Sequence, residues 1–185
     1  MDELKLTLVP ESDPLLKQPT EPWDFKLDGD PTELVKAMAK VMMNPTHPGI
    51  GLSANQVGVG KSILIMGTSD YLVTCINPTV DELVGEKELY LEGCLSFPEL
   101  WLQIKRHPEC IVTYQTLEGE VVEKKHLKGI EARVFLHEFD HLLGVTFDER
   151  IQSKLSLELA RKRRAKKLRL KEKMINRLKR SVSPK

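Results

Sequence analysis

The sequence predicts an α+β fold, with mixed and antiparallel sheets around a central helix and a basic helix at the carboxyl end. Three observations lead to this class. Several short segments of apolar and β-branched residues are separated by turn residues, which is typical of strands. One segment after them repeats its apolar residues at intervals of three and four, the period of a helical face. The last 35 residues are rich in Lys and Arg, and residues 155–178 contain neither Pro nor Gly.

The first predicted helix begins after Asp30. Asp30 can cap it, Pro31 suits its first position, and Glu33 would complete a capping box. The apolar residues that follow lie on one helical face, and the segment ends near Asn44-Pro45. The residues of that face are Leu34, Ala37, Met38, Val41 and Met42.

Two pairs of strands are predicted next. Residues 61–66 and 71–76 are short apolar runs on either side of a turn at residues 67–70. Residues 110–116 and 120–127 form a hairpin around the turn at Glu118-Gly119. A helix that follows such strands and lies across them gives the two layers of an α+β domain.

The central helix is predicted from Gly129 to about Gly144. It contains the segment His137-Glu138-Phe139-Asp140-His141, in which two histidines are four residues apart. Both imidazoles therefore lie on one face and can bind a single metal ion, with Ile130 and Val134 on the same face. Glu138 lies beside the first histidine, where it can exchange protons with a water on the metal. The alternative is an amphipathic helix whose histidines are surface residues.

A third metal ligand has to come from elsewhere in the chain. Downstream of the helix Asp148 and Glu149 are formal candidates, but no third histidine follows as it does in extended zinc-protease motifs. Upstream, Cys94 follows a glycine at a bend, where its thiolate could face a cleft. The other two cysteines, Cys75 and Cys110, lie in apolar runs that are typical of buried strands.

Three segments together resemble the peptide deformylases. They are Gly49-Ile50-Gly51-Leu52-Ser53-Ala54-Asn55-Gln56, Glu92-Gly93-Cys94-Leu95-Ser96 and the histidine segment, and they occur in the order typical of that family. The resemblance covers roughly residues 8–152. Two positions depart from the usual pattern, because Ser53 stands where the family usually has Ala and Leu136 where Gln is common. Neither change removes a metal ligand or a catalytic group.

The resemblance implies a metallohydrolase that removes the formyl group from the initiator methionine of new polypeptides and releases formate. It assigns the metal to Cys94, His137 and His141, and proton transfer to Glu138. It assigns the oxyanion donors to Gln56 and the backbone N–H of Leu95. A thiolate with two imidazoles is compatible with Zn, Ni, Co or Fe(II), and the resemblance implies ferrous iron as the usual physiological ion.

Further residues are expected around this centre. Gly49 and Gly51 would let a substrate strand approach closely, and Ile50, Ile130 and Val134 would line the methionine pocket. The stem of Arg133 would line the pocket mouth while its guanidinium stays in water. Residues behind the ligands are expected to form an orienting network. They are Glu92, Arg106 and Asp140.

Composition and charge define the remaining expectations. The 185 residues are 41% hydrophobic, enough for one domain with a core. The acidic start lacks a targeting signal, and three cysteines without paired spacing indicate a reducing compartment, so we expect a cytoplasmic protein. Residues 151–185 carry 14 of the 28 Lys and Arg but only two acids, a net charge of +12. We therefore divide the chain into a catalytic domain, residues 1–150, and a basic and helical extension, residues 151–185.

Two alternatives to a deformylase remain open. One is a catalytically reduced protein that binds the ribosome or RNA through the basic extension, and a weaker one is a zinc metalloprotease. The expected partners of a deformylase are formyl-Met nascent peptides and the ribosome, whose rRNA would contact residues 151–185. We expect neither a membrane nor DNA as a partner. For the membrane the reason is that no uncharged apolar run approaches the ~20 residues that cross a bilayer.

Overall fold

The structure is a computed structural model that describes residues 4–68 and 70–182, so Ser69 of the predicted turn and the two chain ends lie outside the described residues. Seven strands and three α-helices follow one another along these residues. They are α1 (Thr32–Met42), β1 (Gly51–Ser53), β2 (Ile63–Gly67), β3 (Leu72–Val84), β4 (Glu88–Cys94), β5 (Phe97–Arg106), β6 (Glu109–Gln115), β7 (Val121–Lys128), α2 (Gly129–Leu142) and α3 (Lys154–Val182).

The strands form two antiparallel sheets. Five of them pair in the order β1-β2-β3-β6-β7, and β4 pairs with β5 in a separate two-stranded sheet. Helix α2 lies against β1, β2, β6 and β7, so it crosses the larger sheet. The α+β class with antiparallel sheets around a central helix is thus confirmed.

Strand β3 is longer than predicted. The apolar run stops at Ile76, and the following Asn77-Pro78 suggests a break, because proline cannot donate a ladder hydrogen bond. The strand nevertheless continues to Val84, with irregular register between Ile76 and Thr79. Asn77 adopts a left-handed conformation with φ of 50° and is held by bonds to Trp23 and Gln115. Tertiary contacts thus carry the strand through a local break.

Helix α1 begins two residues after the predicted cap. Pro31 is the capping residue, and the Asp30 carboxylate accepts a hydrogen bond of 2.9 Å from the Thr32 N–H. The helix ends at Met42. Its buried face packs on β1 and β2 through Val35, Met38 and Met42, together with Leu52, Ile63 and Ile65.

The hairpin of β4 and β5 is absent from the predicted elements. Residues 92–96 were interpreted only as a bend, although residues 97–106 alternate between buried and exposed positions. Leu100, Leu102 and Ile104 provide the period-two signal that could have revealed the strand. They pack with Phe97 and Phe147 in a separate core cluster, beside which Cys94 lies.

Helix α3 is attached to the body through its first half. Leu157 and Ala160 pack on the cluster of Phe97 and Phe147. Arg161 contacts Asp148 at 2.8 Å, and Arg164 donates to the carbonyl of Pro98 at 2.8 Å. None of the helices in the described part of the chain is long and apolar enough to cross a membrane.

Candidate metal centre

The three predicted metal ligands come together at the junction of β4 and α2. Cys94 lies at the end of β4, and His137 and His141 lie one turn apart on α2. The candidate ligand atoms of the three residues all lie within 4.8 Å of one another, and no other such group of His, Cys, Asp or Glu occurs in the described residues. The Cys94 sulfur is 3.2 Å from Nε2 of His141. One sulfur and two imidazoles at this spacing suit a single transition-metal ion, whose bonds to such atoms are about 2.0–2.3 Å long.

Neighbouring groups set the orientation and charge of the two imidazoles. Nδ1 of His137 lies 2.9 Å from the Glu92 carboxylate, which leaves its Nε2 for a metal. Burial lowers the pKa of His137, but contacts with Cys94 and Glu92 outweigh burial and raise it to about 10. A metal ion therefore has to displace a proton there. Burial lowers the pKa of His141, which favours the neutral form that binds metals.

Glu138 is buried beside this group and is held on two sides. The hydroxyl of Ser53 lies 2.8 Å from its Oε2. On the other side, a Cβ added to Gly51 would lie 2.6 Å from its Oε1 and 2.7 Å from Val134. Burial raises the pKa of Glu138, opposed by the positive field of His137 and the hydrogen bond from Ser53. A buried carboxyl with a raised pKa holds a proton more readily than an exposed one, which suits a group that takes up and returns a proton.

Gln56 is buried and faces the same centre. Its Oε1 accepts a hydrogen bond of 2.8 Å from the backbone N–H of Ser53. Its Nε2 therefore turns towards the Cys94 sulfur at 3.5 Å and the Ser96 hydroxyl at 3.0 Å. The other predicted donor, Leu95, lies next to Cys94. Its side chain packs closely on Gly49, because a Cβ added to Gly49 would lie 2.6 Å from Cδ1 of Leu95.

A largely apolar cleft of about 1350 Å³ opens above the centre. All five predicted substrate residues line it. They are Gly49, Ile50, Gly51, Ile130 and Val134. Ile50 and Ile130 are about half exposed, so they lie at the mouth of the cleft, while Val134 lies deeper beside Glu138.

The residues behind the ligands form a buried network of charges. Arg106 donates to Glu92 at 2.9 Å and to Asp140 at 2.6 Å, and Asp140 also pairs with Arg150. Burial would raise the pKa of Glu92, but the hydrogen bond from His137 and the charge of Arg106 lower it to about 2. The Glu92 carboxylate is therefore charged at neutral pH and fixes the His137 ring from behind.

The expectation for the Arg133 guanidinium was wrong. The group is buried and donates to Glu92 at 2.7 Å and to the carbonyl of Glu88 at 3.1 Å. It also lies 5.1 Å from the centre of the Tyr90 ring. The unpredicted strand β4 covers this part of α2 and supplies the carboxylate, the carbonyl and the aromatic face that replace water.

The other candidate ligands point elsewhere. The Asp148 carboxylate accepts from Thr146 at 2.6 Å and from Arg161, and Glu149 pairs with Lys17. Burial raises the pKa of the Cys110 thiol to about 11 and that of Cys75 further. Neither thiol forms the thiolate that a metal requires.

Two residues of this site make contacts that are not among the expectations from the sequence. Ser53, which departs from the usual family pattern, touches both Glu138 and Gln56. The Ser96 hydroxyl accepts a hydrogen bond from Gln56. Ser96 belongs to the second segment but is not among the expected site residues. The contact of Ser53 with Gln56 spans three residues and is a capping box, which the Ser53-x-x-Gln56 spacing could have revealed. The contacts of Ser53 with Glu138 and of Ser96 with Gln56 join residues 85 and 40 positions apart, which no local pattern reports.

Comparisons with known proteins agree with this site. Residues 5–156 match the family model described as polypeptide deformylase. The peptide deformylase of Thermotoga maritima is 39% identical over 150 residues, covering 81% of this chain and 89% of that protein. A peptide deformylase from Synechococcus elongatus, solved in complex with actinonin, superposes with a TM-score of 0.79 at 29% identity and covers 89% of this chain and 91% of that one.

A class I type b peptide deformylase from Acinetobacter baumannii, solved with Met-Ala-Ser bound, is also similar. Its TM-score is 0.73 at 31% identity, with 81% of this chain and all of that chain covered. The family model covers more than four-fifths of the chain, including all three metal-site residues. The chain therefore belongs to the peptide deformylase family.

Proposed function

We propose that the protein removes the formyl group from the initiator methionine of newly made polypeptides, releasing formate and a free amino terminus. One observation carries this proposal. The Cys94, His137 and His141 group lies with Glu138 at the base of an apolar cleft, in a chain that matches the deformylase family over residues 5–156. Nothing in the fold or among the relatives favours a metalloprotease or a protein without catalysis.

Deformylases of this family use a single metal ion, and we assign it to Cys94, His137 and His141. When bound, a divalent ion supplies the Lewis acidity that makes hydroxide available from water near neutral pH. We propose ferrous iron as the physiological ion. The donor set also accepts Zn, Ni or Co, because thiolate and imidazole bind all four.

Glu138 is assigned the proton transfers. Its carboxylate would accept one proton of the attacking water and return it to the amine as the formamide C–N bond breaks. The other proton of the water stays on the carboxyl group, so the direct products are a neutral amine and formic acid, which ionises to formate in solution. The support is position and burial. Its Oε1 borders the cleft at Gly51, and its raised pKa lets it hold a proton between the two transfers.

Gln56 and Leu95 are assigned the stabilisation of the oxyanion. The Gln56 amide is preorganised, because Ser53 holds its oxygen and its nitrogen faces Cys94. The backbone N–H of Leu95 is next to the cysteine in the chain. Donors fixed before the reaction cost no reorganisation when charge develops on the formyl oxygen.

The cleft is assigned to the peptide. The Acinetobacter baumannii relative was solved with Met-Ala-Ser, a peptide that begins with methionine. We propose that Val134 and Ile130 contact the methionine side chain and Ile50 the mouth of its pocket. Gly49 and Gly51 leave room for the peptide backbone, since added side chains there would meet Leu95 and Glu138.

Glu92, Arg106 and Asp140 are assigned an orienting role behind the ligands. Glu92 fixes the ring of His137, and Arg106 joins Glu92 on β4 to Asp140 on α2. The network is buried, so each charge is compensated by a partner at hydrogen-bond distance.

The direct test is release of formate from formyl-Met-Ala-Ser by the purified full-length chain. We expect turnover with ferrous iron under anaerobic conditions, and loss of turnover after a chelator removes the metal. Re-addition of iron, nickel or zinc in separate arms ranks the ions. Formate release no faster than that of a buffer control in every arm would refute the proposed activity.

We further propose that the protein acts in the cytoplasm, where chains leave the ribosome. Residues 1–150 are the catalytic domain, and residues 151–185 are an extension that contacts rRNA. Four cations of α3 support this contact. They lie at intervals of four, three and four residues, on one side of the helix, and none of them has a hydrogen-bond or ion-pair partner among the described residues. They are Lys162, Lys166, Arg169 and Lys173.

The opposite cations of α3 are already paired with the body. Arg161 and Arg164 contact Asp148 and Glu11, and Lys167 and Lys171 contact Glu99. The helix is thus held by one side and presents charge on the other. Truncation after Ser153 would also remove the packing of Leu157 and Ala160, so charge substitution is the cleaner test.

We expect replacement of the four unpaired cations by Gln to weaken salt-sensitive binding to ribosomes while formyl-peptide turnover stays unchanged. The slope of log K against log salt should become shallower by about 3, since each phosphate contact contributes about 0.7–0.9. The matched control replaces four exposed lysines of the body and so changes the net charge equally. They are Lys26, Lys87, Lys105 and Lys125. Equal loss of affinity in both variants would show that net charge alone, rather than this side of α3, determines binding.

A further inference from the structure

We propose that Ser53 is a positioning residue for catalysis, which fixes the Glu138 carboxylate in the orientation needed for proton transfer. The inference rests on the proposed function, because it takes Glu138 as the proton carrier. Replacement of Ser53 by Ala removes only the hydroxyl oxygen, so the variant is expected to be compatible with the fold.

The contact itself is short and shielded from water. The Ser53 hydroxyl oxygen lies 2.8 Å from Oε2 of Glu138 and 2.8 Å from the carbonyl oxygen of the same residue. Ser53 is fully buried, and Glu138 is only 4% exposed. Because a hydroxyl has one hydrogen, it serves one of these oxygens at a time, and the charged carboxylate is the stronger acceptor.

The hydrogen bond determines which carboxylate oxygen reaches the cleft. With Oε2 held by Ser53, Oε1 lies on the side of Gly51, whose missing side chain leaves space beside it. Gly51 and Glu138 both line the cleft. A glutamate side chain has three rotatable torsions, so a carboxylate without this bond samples other orientations before each transfer.

Ser53 holds the second catalytic group through a different atom. Its backbone N–H donates to Oε1 of Gln56 at 2.8 Å, which turns Nε2 of Gln56 towards Cys94. Substitution of the side chain leaves this backbone contact in place. Ser53→Ala also removes the contact by which the Ser53 side chain accepts from the Gln56 backbone N–H, so a double-mutant cycle with Glu138 is needed to separate the two effects.

We expect Ser53→Ala to lower kcat about tenfold, consistent with loss of one hydrogen bond to a charged group, with KM within about twofold of the parent. The metal content of the purified protein and its melting temperature should stay close to those of the parent. Ser53→Cys is the matched variant, because it keeps nearly the same volume with a much weaker donor, and it should lose a similar share of kcat. Recovery of full kcat by Ser53→Cys would show that the effect of Ala was a packing defect and would overturn the proposal.

A double-mutant cycle tests whether Ser53 acts through Glu138. Ser53→Ala should lower single-turnover rates in the parent but have little further effect in a Glu138→Gln background. An equal decrease in both backgrounds, or no decrease in the parent, would overturn the positioning role. If the parent itself releases no formate, the proposed function fails, and crystal structures of the parent and Ser53→Ala decide the inference separately. An identical, equally ordered Glu138 carboxylate in both would overturn it.

Discussion

Glu138→Ala is expected to lower kcat for formyl-Met-Ala-Ser by about 10²- to 10⁴-fold, the usual contribution of a general acid–base residue. Among the described residues that line the cleft, two carboxylates lie beside the Cys94, His137 and His141 group, those of Glu138 and Glu92. Because Glu92 is engaged by Arg106 and Arg133, Glu138→Ala removes the one that has no arginine partner. The three ligands remain, so the metal content should not change. Formate release and elemental analysis of the same sample measure both quantities.

Glu138→Gln is the matched control for the shape of the site. The amide keeps the volume and can still accept a hydrogen bond from Ser53, but it cannot carry a proton. It should therefore be nearly as inactive as Glu138→Ala. Activity within tenfold of the parent in the Gln variant would show that another group transfers the proton.

Cys94→Ser is expected to weaken metal retention by at least about 100-fold, since even residues behind the ligands contribute 10- to 100-fold to affinity. Serine is a harder and mostly protonated ligand, so it cannot replace a thiolate. Turnover should fall in proportion to the metal lost. Dialysis against a chelator of graded strength, followed by elemental analysis, measures the retention.

Cys75→Ser and Cys110→Ser are the controls for Cys94→Ser. Both thiols are fully buried in the sheet, away from the ligand group, so these variants should keep the metal although they can lose stability. Thermal unfolding separates the two effects. Normal retention in Cys94→Ser together with metal loss in Cys75→Ser or Cys110→Ser would show that the ligand was assigned to the wrong cysteine.

Local periodicity was sufficient to predict α1, α2 and the hairpin of β6 and β7. Each is a continuous segment whose own residues carry the signal, and the His137 and His141 pair follows directly from the helical period. The hairpin of β4 and β5 was missed, because β4 is mostly exposed and shows no alternation of buried and exposed residues, and the bend at Gly93-Cys94 separates it from the alternating β5. The position of Cys94 was therefore predicted better than the element that carries it.

Contacts between distant residues account for the rest of the site. No local pattern around Arg133 predicts that its guanidinium donates a hydrogen bond to Glu92, which is 41 positions away. Likewise the bond from Ser53 to Glu138 joins residues 85 positions apart. Such contacts depend on how sheets and helices pack, and a single sequence reports them only through the identities of residues that resemble a known family.

Glu99 links the basic extension to the cleft in a way that creates competition. Glu99 lines the cleft and has a left-handed backbone conformation with φ of 63°. Its carboxylate pairs with Lys167 and Lys171 of α3, and these two lysines lower its pKa to about 2. Any polyanion that takes up these two lysines has to displace the Glu99 carboxylate from them. The coupling is reciprocal. If a ligand in the cleft binds Glu99 and changes the affinity of the two lysines for the polyanion, then the polyanion changes the affinity of the cleft for that ligand by the same factor.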